Sequence, residues 1–285
     1  MTEIDLEGAL TRWTFDLPFV FITVALALAY GIGVHRARRS GARWPRWRIA
    51  AFGLGLGSLA WVTCGLFAVY NHILFWPSAV QMTMLVTIVP VGLALGDPVG
   101  LVRAAWGCAL EPQSRLIRGM LRTLAFPLLG PILAVVSQFA VLFSGYLHAA
   151  LTHGSVMNLM YLNLLCVGCL VAMPFFGLED LLPPWCTAPL RVLFAAVDGV
   201  IDAIPGIWTN TTATPMGRGY YAALRPSWCP TLLQDTHIGG GLMVVVAELL
   251  GIPMLAVLFV GWVRADRERA RAWDAALDAE SEVAR

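Results

Sequence analysis

Lysine is absent from this 285-residue chain, and all 19 of its basic residues are arginine. Charge of either sign is scarce. Charged residues make up 13% of the sequence against 58% hydrophobic, and the mean hydropathy is +0.72. A water-soluble core does not need so much apolar surface, so the composition implies that lipid is the solvent for most of the fold. The net charge of +1 carries no signal for nucleic acid. The six cysteines lie mostly in or beside apolar runs and lack the loop-borne spacing of a secreted disulfide framework. Cys166-Val-Gly-Cys169 has the CxxC form but falls inside a hydrophobic segment, where it reads as two small core residues one helical turn apart. The beginning of the chain carries Glu3, Asp5, Glu7 and Asp16 in place of the positive charge of a secretory signal, so the first apolar run is expected to be retained. A nucleophile elbow, a phosphate-binding glycine loop and an HExxH zinc helix are all missing, and nothing points to an enzyme.

What is present is a series of seven apolar runs, at residues 17–34, 49–70, 78–95, 124–143, 157–176, 190–208 and 238–263. Each is near the length a helix needs to cross the hydrocarbon. They are continuous rather than alternating, which favours helices over a closed barrel. The expected fold is therefore all-α, a polytopic membrane protein whose residues 1–263 form one seven-helix domain, with residues 264–285 as a charged helical tail. The third run stands out. It is almost wholly apolar, opens with Gln81, Met82 and Met84, and closes on Gly96-Asp97-Pro98, a helix stop. Gly53 and Gly57 in the second run form a GxxxG pattern that reads as a close helix contact.

The placement of arginine sets the orientation. All but Arg12, Arg218 and Arg225 fall in the first and third connections, at the border of the fifth (Arg191) or in the tail. The positive-inside rule then puts the N-terminus outside and the C-terminus in the cytoplasm. Arg115, Arg118 and Arg122 recur at helical spacing and could rest on anionic headgroups of the membrane lipid, or simply serve as topology determinants. With this topology the third, fifth and seventh runs all begin at the outer face, so their first turns share one depth. Those turns hold Gln81, Met82 and Met84; Met157, Asn158, Met160 and Tyr161; and Asp235 and His237. His72, His148 and His153 lie in the connections above them. Thioether sulfur is a soft ligand that prefers Cu(I), and imidazole and carboxylate suit copper in either oxidation state. Methionine is also a common gap-filler in packed helices. Three acids lie at membrane depth: Asp198 and Asp202, at i and i+4 in the sixth run, and Glu248 in the seventh. Such groups face the bundle interior and serve either a proton or ion path or a hydrogen-bonded structural role.

The order of segments is similar to that of the CtaG-like cytochrome c oxidase assembly factors, a family of seven-helix bacterial membrane proteins. The resemblance covers nearly the whole chain. It is carried by Trp13-Thr14-Phe15-Asp16 before the first run, the basic stretch from Trp44 to Gly55, and Ser78-Ala79 followed by the segment Pro90 to Pro98. Pro174-Phe175-Phe176-Gly177 at the end of the fifth run and Asp235-Thr236-His237-Ile238-Gly239-Gly240 at the entry to the seventh complete it. The resemblance implies a non-enzymatic accessory role in the plasma membrane, maturing a heme–copper oxidase, with an oxidase subunit as partner and copper supplied or retained at the outer face. The family carries histidine pairs in its third and fifth spans. This chain has Val80 and Met84 in one place and Met157 and Tyr161 in the other. Either Met84, Met157 and Met160, with Asp235 and His237, form a softer Cu(I) site, or the metal site is lost and the protein is a scaffold within a membrane complex. A proton- or ion-coupled carrier using Asp198, Asp202 and Glu248 is the alternative of a different class.

Overall fold

A computed structural model describes residues 12–107, 126, 128–176, 182, 185–223 and 226–283, with side chains for all of these except 265 and 275–283. Every regular element among the described residues is a helix. In chain order these are α1 (Leu17–Arg39), α2 (Arg46–Cys64), α3 (Leu66–Tyr70), α4 (Phe75–Val86), α5 (Ile88–Leu95), α6 (Pro98–Trp106), α7 (Leu129–Phe143), α8 (Tyr146–Thr152), α9 (Gly154–Phe176), α10 (Ala188–Thr211), α11 (Arg218–Tyr221) and α12 (Leu232–Val283). Five segments are long and apolar enough to cross a membrane, and a sixth qualifies if α7 and α8, bent by 68° at Ser144–Gly145, count as one. Large apolar side chains stand exposed along these helices, among them Phe21, Leu28, Leu54, Val136, Leu249 and Ile252, as helices solvated by lipid require. The segment containing Arg115, Arg118 and Arg122 lies outside the described residues.

The third apolar run is the centre of the bundle. It forms α4 and α5, and α4 is buried at every position from Pro77 to Val86. Helices α2, α9 and α12 all pack on it. The run is not one straight helix. It breaks at Thr87 (φ −110°, ψ −70°), just before Pro90, whose ring cannot donate a hydrogen bond to the Val86 carbonyl four residues earlier. The Gly-Asp-Pro stop ends α5 and at once starts another helix. Asp97, in the left-handed region at φ 47°, accepts a hydrogen bond from the Gly100 N–H at 2.8 Å and caps α6. Arg48 holds the same carboxylate at 2.6 Å and lies over the Trp44 ring.

Close helix contact in α2 comes from a different glycine than the GxxxG pattern indicated. Gly53 and Gly57 have open space beside them, whereas a Cβ on Gly55 would lie 2.8 Å from the backbone nitrogen of Leu93. The reason is helical phase: residues 53 and 57 share one face, and residue 55 lies about 200° round from 53, toward α5. Cys166 is exposed and Cys169 only half-buried, so the CxxC pair sits at the edge of the packing rather than in the core; both are free thiols.

Candidate functional site

The bundle has an arginine-rich end, where Arg36, Arg48 and Asp97 gather, and an opposite end where α3, α8, α11 and the starts of α4, α9 and α12 meet. That opposite end carries an open cleft of about 540 Å³, lined among others by Asp16, Asn71, His72, Met157, Asn158 and Tyr161. The short polar segment between α3 and α4 supplies its hub. The Asn71 amide is only 2% exposed and donates to Gln81 Oε1 at 3.1 Å and to the Tyr161 hydroxyl at 3.0 Å. Gln81 passes the chain on, donating to the Val62 carbonyl at 2.7 Å. The Asn71 carbonyl in turn accepts from Tyr221 Oη at 2.8 Å and from Ser78 Oγ at 3.2 Å. Asn71 thus ties α4 to the distant α9 and α11, and through Gln81 to α2. Buried polar networks of this kind fix a single arrangement, because each lost partner strands a group away from water.

The cleft wall is rich in unmet acceptors. Asp16 Oδ1, Asn71 Oδ1 and Asn158 Oδ1 are buried and have no hydrogen-bond partner. Burial raises the Asp16 carboxyl above its usual range, against the opposing effects of the Phe19 N–H and the Asn158 amide. Desolvation lowers the His72 imidazole below its usual range, and its Nδ1 faces Tyr220 Oη at 3.3 Å. A histidine kept neutral by the fold sets a sign. The unfolded chain takes up the proton first, so stability falls as pH drops below about 6.5 and levels off once the folded form is also protonated. In an acid titration of the folded state followed by tryptophan fluorescence, His72→Gln should remove the loss that sets in just below that pH. An identical acid profile in the variant would assign it to other groups.

The residues expected to form a sulfur-rich metal set do not come together. A methyl group on Gly168 would collide with the Val86 carbonyl, so these two residues lie at one depth where α9 passes α4. Both helices run into the bundle from the cleft, since Asn71 meets Tyr161 at that end. At about 1.5 Å rise per residue, Met84 is two residues above that crossing and Met157 eleven, a separation of about 13 Å along the axis. Met160 is fully buried between them, and of the three sulfurs only Met157 lines the cleft. Asp235 is 2% exposed and caps α4: its Oδ2 accepts from the Phe75 N–H at 2.7 Å and its Oδ1 from the Trp76 N–H at 3.1 Å. His237 Nε2 lies 2.9 Å from the Thr212 carbonyl, tying the loop after α10 to α12. Among the described residues no group of three or more His, Cys, Asp or Glu is placed to hold a metal ion. Sequence reasoning missed Asn71 as the hub. The available signal was a Tyr-Asn-His step between two apolar runs, polar residues with no lipid-facing reason to be there.

The intramembrane acids are placed elsewhere. Asp198 and Asp202 on α10 line a separate small pocket deeper in the bundle, and Glu248 on α12 acts on Asp202 across the α10–α12 contact.

The chain is similar to uncharacterized proteins of Mycobacterium bovis and Mycobacterium tuberculosis, each 28% identical over 95% of this chain and 42% of theirs. A Mycobacterium leprae protein, also uncharacterized, is 25% identical over 90% of this chain and 40% of its own. The chain thus spans about two fifths of the length of these relatives. No solved structure matches it. The family model of the cytochrome c oxidase caa3 assembly factors matches residues 28–265, from within α1 to the charged part of α12, and the chain belongs to that family, Caa3_CtaG.

Proposed function

We propose that the chain is a non-enzymatic accessory factor of the bacterial plasma membrane that helps to assemble a heme–copper oxidase. Family membership is the observation that carries this reading. In the same proposal the chain crosses the membrane seven times, with α7 and the bent α8 together as one pass and α10 as another, its N-terminus outside and its C-terminus in the cytoplasm. The one-sided arginines support that orientation. Residues 1–263 then form the membrane domain, and residues 264–285 a cytoplasmic extension of α12.

The outer cleft is the working surface of this proposal, and an oxidase subunit is the partner it receives. Copper enters as cargo. The donors at hand are the neutral His72 imidazole and the Met157 thioether, a borderline and a soft ligand that suit Cu(I). A neutral imidazole and a thioether hold Cu(I) only weakly, so the partner takes it over during transfer. Titration of the purified chain with Cu(I) under reducing conditions should show weak binding of about one equivalent, abolished by His72→Ala with Met157→Leu and unchanged in Met84→Leu. Equal loss in Met84→Leu would place the site on the buried sulfurs. Absence of binding in the wild-type chain would favour a scaffold with no metal site.

A further inference from the structure

The assembly role leaves a second site unused. Where α4 gives way to α5, a small, partly open pocket of about 40 Å³ lies between α9, α10 and α12. It has room for a bare ion or a very few waters. Its polar lining consists of Asp198, Asp202 and Thr87, and no arginine or histidine lines it. Asp198 is 7% exposed, and Oδ1 of Asp198 and Oδ1 of Asp202 are both buried with no hydrogen-bond partner. Val86 also lines the pocket, and Pro90 four residues on cannot supply its carbonyl with the N–H that an unbroken α-helix would. The pocket therefore offers oxygen acceptors and no donor except Thr87 Oγ1, which donates to the Thr83 carbonyl at 2.8 Å.

The surrounding charges do not balance it. Glu248 on α12 adds a third carboxyl next to Asp202. The described residues of α4, α5 and α7 carry no titratable side chain, and Tyr161, Cys166 and Cys169 of α9 do not line the pocket. Arg191, the one basic residue of α10, lies seven residues before Asp198, about 10 Å along the helix, and its Nε points to the Cys186 carbonyl at 3.5 Å. Paired carboxylates cannot stay charged in a buried apolar place without compensation. A break in a membrane helix beside such a pair exposes backbone carbonyls, which are cation ligands.

We propose that this pocket binds one small monovalent cation, a proton or an alkali ion, held by Asp198 and Asp202 against the broken helix at Val86–Thr87. Both occupants supply the same missing positive charge. The site stands apart from the outer cleft and does not depend on the assembly role.

The test is difference infrared spectroscopy of the full chain in lipid nanodiscs at neutral pH, with choline chloride as the only salt. In that medium a proton must fill the site. A protonated-carboxyl C=O band is expected in the wild-type chain and is lost in the double variant Asp198→Asn/Asp202→Asn. Replacing choline with sodium then separates the occupants: loss of the band identifies an alkali-ion site, and its persistence a proton site. Wild-type chain without the band in choline chloride would overturn the proposal, because both acids would then be ionised with nothing to balance them. So would a band that survives in both single variants, Asp198→Asn and Asp202→Asn, and disappears in Glu248→Gln. The first of these outcomes needs no variant, so a folding defect in the asparagine chains does not rescue the idea.

Discussion

Replacing Asp235 with alanine should destabilise the folded chain by about 3 kcal/mol, whether or not copper is present. The carboxylate is 2% exposed and accepts the first two N–H groups of α4, those of Phe75 and Trp76. The residue at the N-cap position itself is Leu74, which has no side-chain acceptor. Asp235 therefore does at long range what a local cap does elsewhere, and it pins the start of α12 to the start of the central helix. Its negative charge also meets the positive end of the α4 dipole. Truncation leaves two buried N–H groups unpaired, each costing about 1–3 kcal/mol. Asp235→Asn retains one acceptor oxygen and should recover roughly half of the loss. The midpoint of detergent-induced unfolding, read by tryptophan fluorescence, measures both. A shift of less than about 0.5 kcal/mol in the alanine variant would show that the cap contributes little.

The largest effect is expected at Gly168. Here α9 passes so close to the α4–α5 junction that a Cβ would run into the Val86 carbonyl and the Pro90 ring. Backbone and a proline ring cannot move aside as a flexible side chain can. Even alanine should cost about 3 kcal/mol, at the upper end for overpacking, and leucine should leave no folded chain in membrane extracts. Gly199 borders the same pocket but has open space at its Cβ position, so Gly199→Ala is the matched control and should leave stability unchanged within about 0.5 kcal/mol. Comparable yields of folded Gly168→Leu and wild-type protein would mean that the helices can separate there without penalty.

These two positions show how far the sequence alone reached. Apolar length and the Gly96-Asp97-Pro98 stop located the central helix, because membrane passage and helix termination are local properties written in consecutive residues. The order of segments also carried the family. What the sequence could not carry is phase and distance between helices. Asp235 and His237 shared a depth with Met157, yet one is a helix cap and the other a loop tether. Met84 and Met157 both lie early in their runs, but Met84 stands nine residues nearer the crossing of α4 and α9 at Val86 and Gly168 than Met157 does. Gly53 and Gly57 matched a pattern, but the contact belonged to Gly55, because spacing alone does not tell which face of a helix meets its neighbour. The part Asn71 plays as a hub was hidden for the same reason. Its importance lies in Gln81, Tyr161 and Tyr221, which only the fold brings to it.

The cleft is where the proposed function places the working surface. It is open, it is lined by Asp16, Asn71 and Asn158, each with a buried oxygen that has no partner, and His72 lines it too.

The assembly role has one most direct measurement. In a strain from which the chain has been removed, the reduced-minus-oxidised heme spectrum of the membranes reports how much heme–copper oxidase is assembled. The predicted result is loss of the oxidase signal, restored by the wild-type chain and restored poorly by a folded chain carrying His72→Ala and Met157→Leu. An unchanged oxidase signal in membranes that lack the chain would contradict the role.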